Sequence, residues 1–272
     1  MDINEYLAQV DQAYETCSTG AELEGRLLAL LDQCGAQYGA DSTQYASLLG
    51  ELGGFYRGQG RYEESEARFR EALALLEAAL GQKSAEYATA LNNLAGAHRL
   101  LGRFEEALVE FDRCLDLYRA TVGESHLLYA AGLNNLSLVY LDQQEWGRAL
   151  ECQTRAGSIL AALPQARDEL ASSLCNQGAL CQRLGRLEEA EQKLEEALVL
   201  FRDELGTDTP HYHAALNTLG AVHFAAGRFA QARDCFDQAA QAAQALYGPD
   251  HREAQAALAH RAMAQQKLEA NP

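Results

Sequence analysis

Proline is scarce, with 4 residues in 272, and no Ser/Gly-rich or charge-block stretch divides the chain. Without a linker, a single domain over residues 1–272 is expected. Basic residues are few as well: 22 Lys and Arg stand against 39 Asp and Glu, a formal charge of −17. Phosphate backbones and anionic lipid surfaces attract basic surplus, so neither nucleic acid nor a membrane is an expected partner. No run approaches the roughly 18 apolar residues of a membrane span. The opening MDINEYLAQV has neither the basic nor the apolar region of a signal peptide. The 7 Cys are odd in number and show no CxxC or CxxxC spacing, and a chain this long needs no disulfide staples. Reduced thiols and a cytoplasmic location are expected. The P-loop, GxGxxG after a strand, HExxH and GxSxG patterns are all missing, as is any strand-like alternation, so a non-enzymatic protein without a cofactor is expected.

What is present is a repeat. GRYEES at Gly60 returns as GRFEEA at Gly102, QEWGRA at Gln144, GRLEEA at Gly185 and GRFAQA at Gly227, at offsets of 42, 42, 41 and 42. Ahead of each unit stands a turn glycine (Gly39, Gly81, Gly123, Gly206, Gly248), and Tyr45, Tyr87, Tyr129 and Tyr212 each follow one of these by six residues. Inside the units ALNNLAG (from Ala90), GLNNLSL (from Gly132), SLCNQGA (from Ser173) and ALNTLGA (from Ala215) align. The one irregular link, at Leu163 and Pro164, is a single-residue deletion in a turn, where length changes are tolerated.

Periodicity within a unit reads as two helices. Tyr87, Leu91, Leu94, His98 and Leu101 form one apolar stripe (helix A), Gly102 ends it, and Phe104, Ala107, Leu108, Phe111, Leu115 and Tyr118 form a second (helix B), antiparallel to the first. Glu105 and Glu106 fall in the first turn of helix B, where carboxylates meet the positive end of the helix dipole. Small residues at Gly53, Ala95, Gly178 and Gly220 allow close approach of the two helices. The third unit departs from the shared pattern at Gln153, the fourth at Gln177.

These columns resemble the tetratricopeptide repeat: a large apolar residue, another three later, a small residue, a bulky one three beyond, then A-x3-F. In the second unit they are Leu91, Leu94, Ala95, His98, Ala107 and Phe111. The 42-residue step and the LNNLA signature are similar to the long-helix repeats of kinesin light chains and their bacterial relatives. The resemblance implies an all-α, right-handed superhelical solenoid of antiparallel helix pairs. About thirteen helices are expected: two in a degenerate N-terminal capping repeat (residues 2–38), ten in units 39–80, 81–122, 123–163, 164–205 and 206–247, and one closing helix in 248–272.

His98, His223 and Cys181 share the bulky core column of Tyr56 and Tyr140, so they are expected to be packing residues rather than metal ligands. His211 and His213 lack a partner cluster, and Cys114, Cys152 and Cys235 fill gaps on B helices; no metal site is expected. A binding face is the stronger candidate. At roughly 100° per residue, a second stripe of each A helix lies about 140° from its core stripe. The resemblance implies that this stripe lines a concave groove.

The stripe includes Arg57, Asn92, Arg99, Asn134, Cys175, Arg183, Asn217 and Phe224, with Asn93, Asn135 and Asn176 beside it. Over its 25 positions three Arg and one Asp give 3 − 1 = +2, inside a molecule of −17. Amide side chains can hold an extended backbone, and Arg can pair with carboxylates; alternatively, the Asn columns bond neighbouring repeats. Gly50, Gly54, Gly58 and Gly96 cost helix stability, so either close helix packing or a bulky ligand needs their space. The expected function is a scaffold or adaptor that takes an acidic or carboxylate-bearing peptide segment of a partner protein in the groove. The alternatives are a sensor of a small metabolite or signalling peptide, a module that self-associates weakly through its ends, and an unrecognised enzyme.

Overall fold

The computed structural model describes residues 2–270, and among the described residues all regular secondary structure is helical. The N-terminal pair is α1 (Ile3–Thr16) and α2 (Gly20–Tyr38). Five A/B pairs follow: α3 (Thr43–Gly58) and α4 (Tyr62–Leu80), α5 (Ala85–Leu100) and α6 (Phe104–Thr121), α7 (Leu127–Asp142) and α8 (Trp146–Ala161), α9 (Arg167–Arg183) and α10 (Leu187–Leu200), α11 (Pro210–Ala225) and α12 (Phe229–Tyr247). The last helix is α13 (Arg252–Ala270), giving thirteen α-helices among the described residues, as the repeat arithmetic expects. A π-helical turn, Phe201–Leu205, extends α10. The chain divides into two compact units, residues 1–139 and 140–272, the division falling inside α7.

Each pair begins and turns by local chemistry. Ser42, Ser84 and Thr209 cap A helices by accepting from the main-chain N–H of Tyr45, Tyr87 and Tyr212, which explains the fixed Gly-x-x-Ser/Thr-x-x-Tyr spacing. Between A and B helices the chain passes through a left-handed residue, Gly102 at φ 75° for example. Gln144 takes that place in the third pair at φ 61°, a conformation uncommon for a residue with a side chain.

Packing between A and B helices rests on the small column. A Cβ built on Gly53 would lie 2.7 Å from the Phe69 ring, and one on Gly220 would lie 2.6 Å from Phe236. Bulk on one helix therefore requires its absence on the other. The first unit's main core joins the cap to the repeats through Tyr6, Leu27, Leu30, Leu49 and Leu52. In the third repeat Gln153 stands where the pattern has Phe, and in the fourth Gln177 stands where it has an apolar residue. Gln177 Nε2 donates to the Gln153 carbonyl oxygen (3.2 Å), and Ser173 Oγ bonds Gln153 Oε1 (3.1 Å). Gln177 Nε2 also donates to Ser173 Oγ (3.3 Å), so Ser173 joins the two departures in a buried polar network.

A further regularity crosses from repeat to repeat. Arg61 pairs with Glu24 (2.6 Å), Arg103 with Glu66 (2.9 Å) and Arg228 with Glu191 (2.7 Å), each bridging residues 37 apart. Within residues 140–272, Leu150 stands at the Glu position for Arg186, so that brace lacks its carboxylate.

Candidate functional site

Parallel A helices in the first unit bring Arg57, Asn93, Arg99 and Asn135 around one cavity of about 340 Å³, with Gly96 and Leu100. Arg57 and Asn93 also line an adjoining cavity of about 500 Å³, floored by Gly50 and Gly54 and walled by Phe69, Glu51 and Glu86. Of the two explanations for the glycines, distances decide: a Cβ on Gly50, Gly54 or Gly58 would meet no atom within 4 Å. Helix packing does not need the space; the cavity is what the missing side chains leave.

Arg57 is half-buried, its guanidinium 5.7 Å from the Phe69 ring centre, and it makes no ion pair among the described residues. Burial, reinforced by the neighbouring Arg99 charge, lowers its pKa. Glu51, in the same cavity, has its carboxyl pKa raised by burial and by Asp11. Cost on both groups is the signature of charges held without counter-charges.

The Asn columns divide. Asn92 is 7% exposed and its Oδ1 accepts from Asn135 Nδ2 at 3.3 Å, so this pair links consecutive A helices. The same 43-residue link recurs in the second unit between Asn217 Oδ1 and His260 Nδ1 (3.0 Å). Asn134 is half-buried, and its Oδ1, shielded from solvent, accepts no hydrogen bond. Asn93 remains on the cavity wall.

In the second unit the predicted residues are spread rather than gathered. Arg183 is exposed and stacks 5.0 Å over Trp146, the single tryptophan, and Asn176 is exposed. Cys175 is half-buried, with burial pushing its thiol up to about 12, far from a reactive thiolate. Phe224 meets Phe229 edge-on at 5.2 Å and lines a small apolar cavity of about 160 Å³ with Phe236, His260 and Met263.

His98, His223 and Cys181 are buried, as the core column predicts. His98 carries more than packing: Nδ1 lies 2.7 Å from Glu110 Oε2 and Nε2 lies 3.2 Å from Glu66 Oε1. Arg70 and Arg103 also donate to the Glu66 carboxylate, at 2.8 and 2.9 Å, so the cluster joins one imidazole, two carboxylates and two guanidinium groups. The cluster braces α4, α5 and α6. Periodic reading missed it and the Arg–Glu braces, although the constant step of 37 between Glu and Arg was visible. Among the described residues no group of three or more His, Cys, Asp or Glu is arranged to hold a metal ion, and no helix is long and apolar enough to cross a membrane.

The tetratricopeptide repeat profile matches residues 43–118, 86–161, 169–233 and 211–270. The chain belongs to the tetratricopeptide repeat family, whose members generally mediate protein–protein interaction. No match is found among curated protein sequences. The fold is similar to the crystal structure of BtubC (BKLC) from P. vanneervenii, at TM-score 0.69 and 20% identity, over 91% of this chain and 95% of that one. It is also similar to a Podosopora anserina protein of kinesin light chain type with nearly identical TPR-like repeats, at TM-score 0.64 and 18% identity, over 76% and 98% of the two chains. Both likenesses concern the fold.

Proposed function

We propose that this protein is a cytoplasmic, non-enzymatic adaptor that takes a carboxylate-bearing peptide segment of a partner protein along its A-helix face. One observation carries the reading: a half-buried Arg57 without an ion pair, beside Arg99 and Asn93, in a cavity that glycines keep open. Most other arginines in the chain already hold a carboxylate of their own. Arg57 therefore has its donors free for an incoming carboxylate, to which the fork of a guanidinium can bind through two hydrogen bonds. Asn93 would add backbone-directed hydrogen bonds, and Arg183 with Trp146 and the Phe224 cavity would offer secondary contacts in the second unit.

The five units from 39 to 247, with caps at both ends, form on this reading one functional domain. Replacing Arg57, Arg99 and Arg183 together by Glu tests it, because partner capture should fail while helicity is retained.

A further inference from the structure

The cavity that holds Arg57 is not uniformly basic. Its charged walls are Arg57 at the C-terminal end of α3, Glu51 six residues earlier in the middle of the same helix, and Glu86 at the start of α5. Through Arg57 and Asn93 it opens into the second cavity, where Arg99 stands at the C-terminal end of α5. Along the A helices both carboxylates thus lie N-terminal to the guanidinium groups. Glu51 is half-buried and makes no hydrogen bond or ion pair among the described residues. It does not neutralise Arg57 in the same cavity, since no carboxylate oxygen lies within ion-pair distance of that guanidinium. Two opposite charges share one open space and leave each other unpaired.

A purely acidic segment laid along this space would satisfy Arg57 and collide electrostatically with Glu51 and Glu86. A ligand with a positive group at one end and a negative group at the other satisfies both. Six residues of helix separate Glu51 from Arg57, about 9 Å of rise, which an extended peptide covers in about three residues. Between the two charges the floor is Gly50 and Gly54, over which nothing obstructs a passing backbone or side chain.

We propose that the cavity of the first unit binds an extended bipolar peptide segment, with a cationic group against Glu51 and a carboxylate about three residues away against Arg57. This rests on the A-helix face being a peptide-binding face and narrows the segment from acidic to bipolar. The arrangement also fixes the direction in which the segment lies, because reversing it would set like charges against each other.

The test is selection of random octapeptides, displayed on phage, by the full chain, by Glu51→Gln and by Arg57→Gln, with circular dichroism confirming that both variants fold. The wild type should enrich peptides with a Lys or Arg about three residues from an Asp or Glu. Glu51→Gln should lose the basic preference, binding such peptides at least about threefold more weakly while keeping the acidic one, and Arg57→Gln should lose the acidic preference. Enrichment of acidic residues alone by the wild type, unchanged or strengthened in Glu51→Gln, overturns the bipolar segment and leaves the adaptor reading standing. No enrichment by any of the three proteins overturns both.

Discussion

Gln177 donates from Nε2 to the main-chain carbonyl of Gln153 at 3.2 Å, and these two side chains occupy the columns in which their repeats depart from the shared pattern. Each departure alone would bury an amide in an apolar setting. Ser173 Oγ links the two side chains, donating to Gln153 Oε1 and accepting from Gln177 Nε2. Gln177→Leu should cost about 1–3 kcal/mol, because it strands the polar groups left behind. Gln153→Leu combined with Gln177→Leu should cost less than the sum of the single changes by at least about 0.5 kcal/mol. Urea denaturation of the four proteins measures this, and strict additivity would show that the two glutamines are not coupled.

Two neighbouring glycines should respond in opposite directions. Gly54→Ala meets open space on a helix and should raise stability by about 0.5–1 kcal/mol. Gly53→Ala drives a methyl to 2.7 Å from the Phe69 ring and should lower stability by about 1–3 kcal/mol. Thermal melts of the two variants separate these cases, and a loss of stability in Gly54→Ala would mean that the space is not free.

The two carboxylates flanking His98 should pull stability in opposite directions with pH. Burial pulls the Glu66 carboxyl up, but hydrogen bonds from His98 and Arg70 and the charge of Arg103 outweigh it and hold the group below the ordinary 4.5. Its stabilisation is present above that value and is lost as pH falls below it. Burial dominates at Glu110 and raises its pKa, against the opposing hydrogen bond from His98. Its contribution is therefore lost as pH rises from 4.5 through its folded value. Glu66→Gln should cost about 1–3 kcal/mol at pH 7 and flatten the acid limb, whereas Glu110→Gln should flatten the limb above it. Denaturation free energies measured from pH 3 to pH 7 check both slopes, and an unchanged acid limb in Glu66→Gln would contradict the assignment.

Repeat length, helix count, turn positions and the buried column of His98, Cys181 and His223 were all legible in the sequence, because each is dictated by spacing along one chain. What spacing could not settle is anything decided by side chains converging from different helices. The Asn columns read as a ladder for a ligand or as links between repeats. Asn92 and Asn135 form such a link, while Asn93, one position on, stays at the cavity. Glu51 stands in the same column as Asn93, one repeat earlier, and escaped notice because that column reads by its repeated Asn rather than by the one unit that places a carboxylate there. The glycines themselves posed a choice between packing and space that only interatomic distances could decide.

The most direct test of the adaptor reading compares the wild type with the Arg57→Glu, Arg99→Glu, Arg183→Glu variant in quantitative mass spectrometry of co-purifying proteins, alongside circular dichroism of both. Loss of the co-purifying partner from the variant at unchanged helicity is the predicted result. Equal recovery of the same partner by both proteins would contradict it.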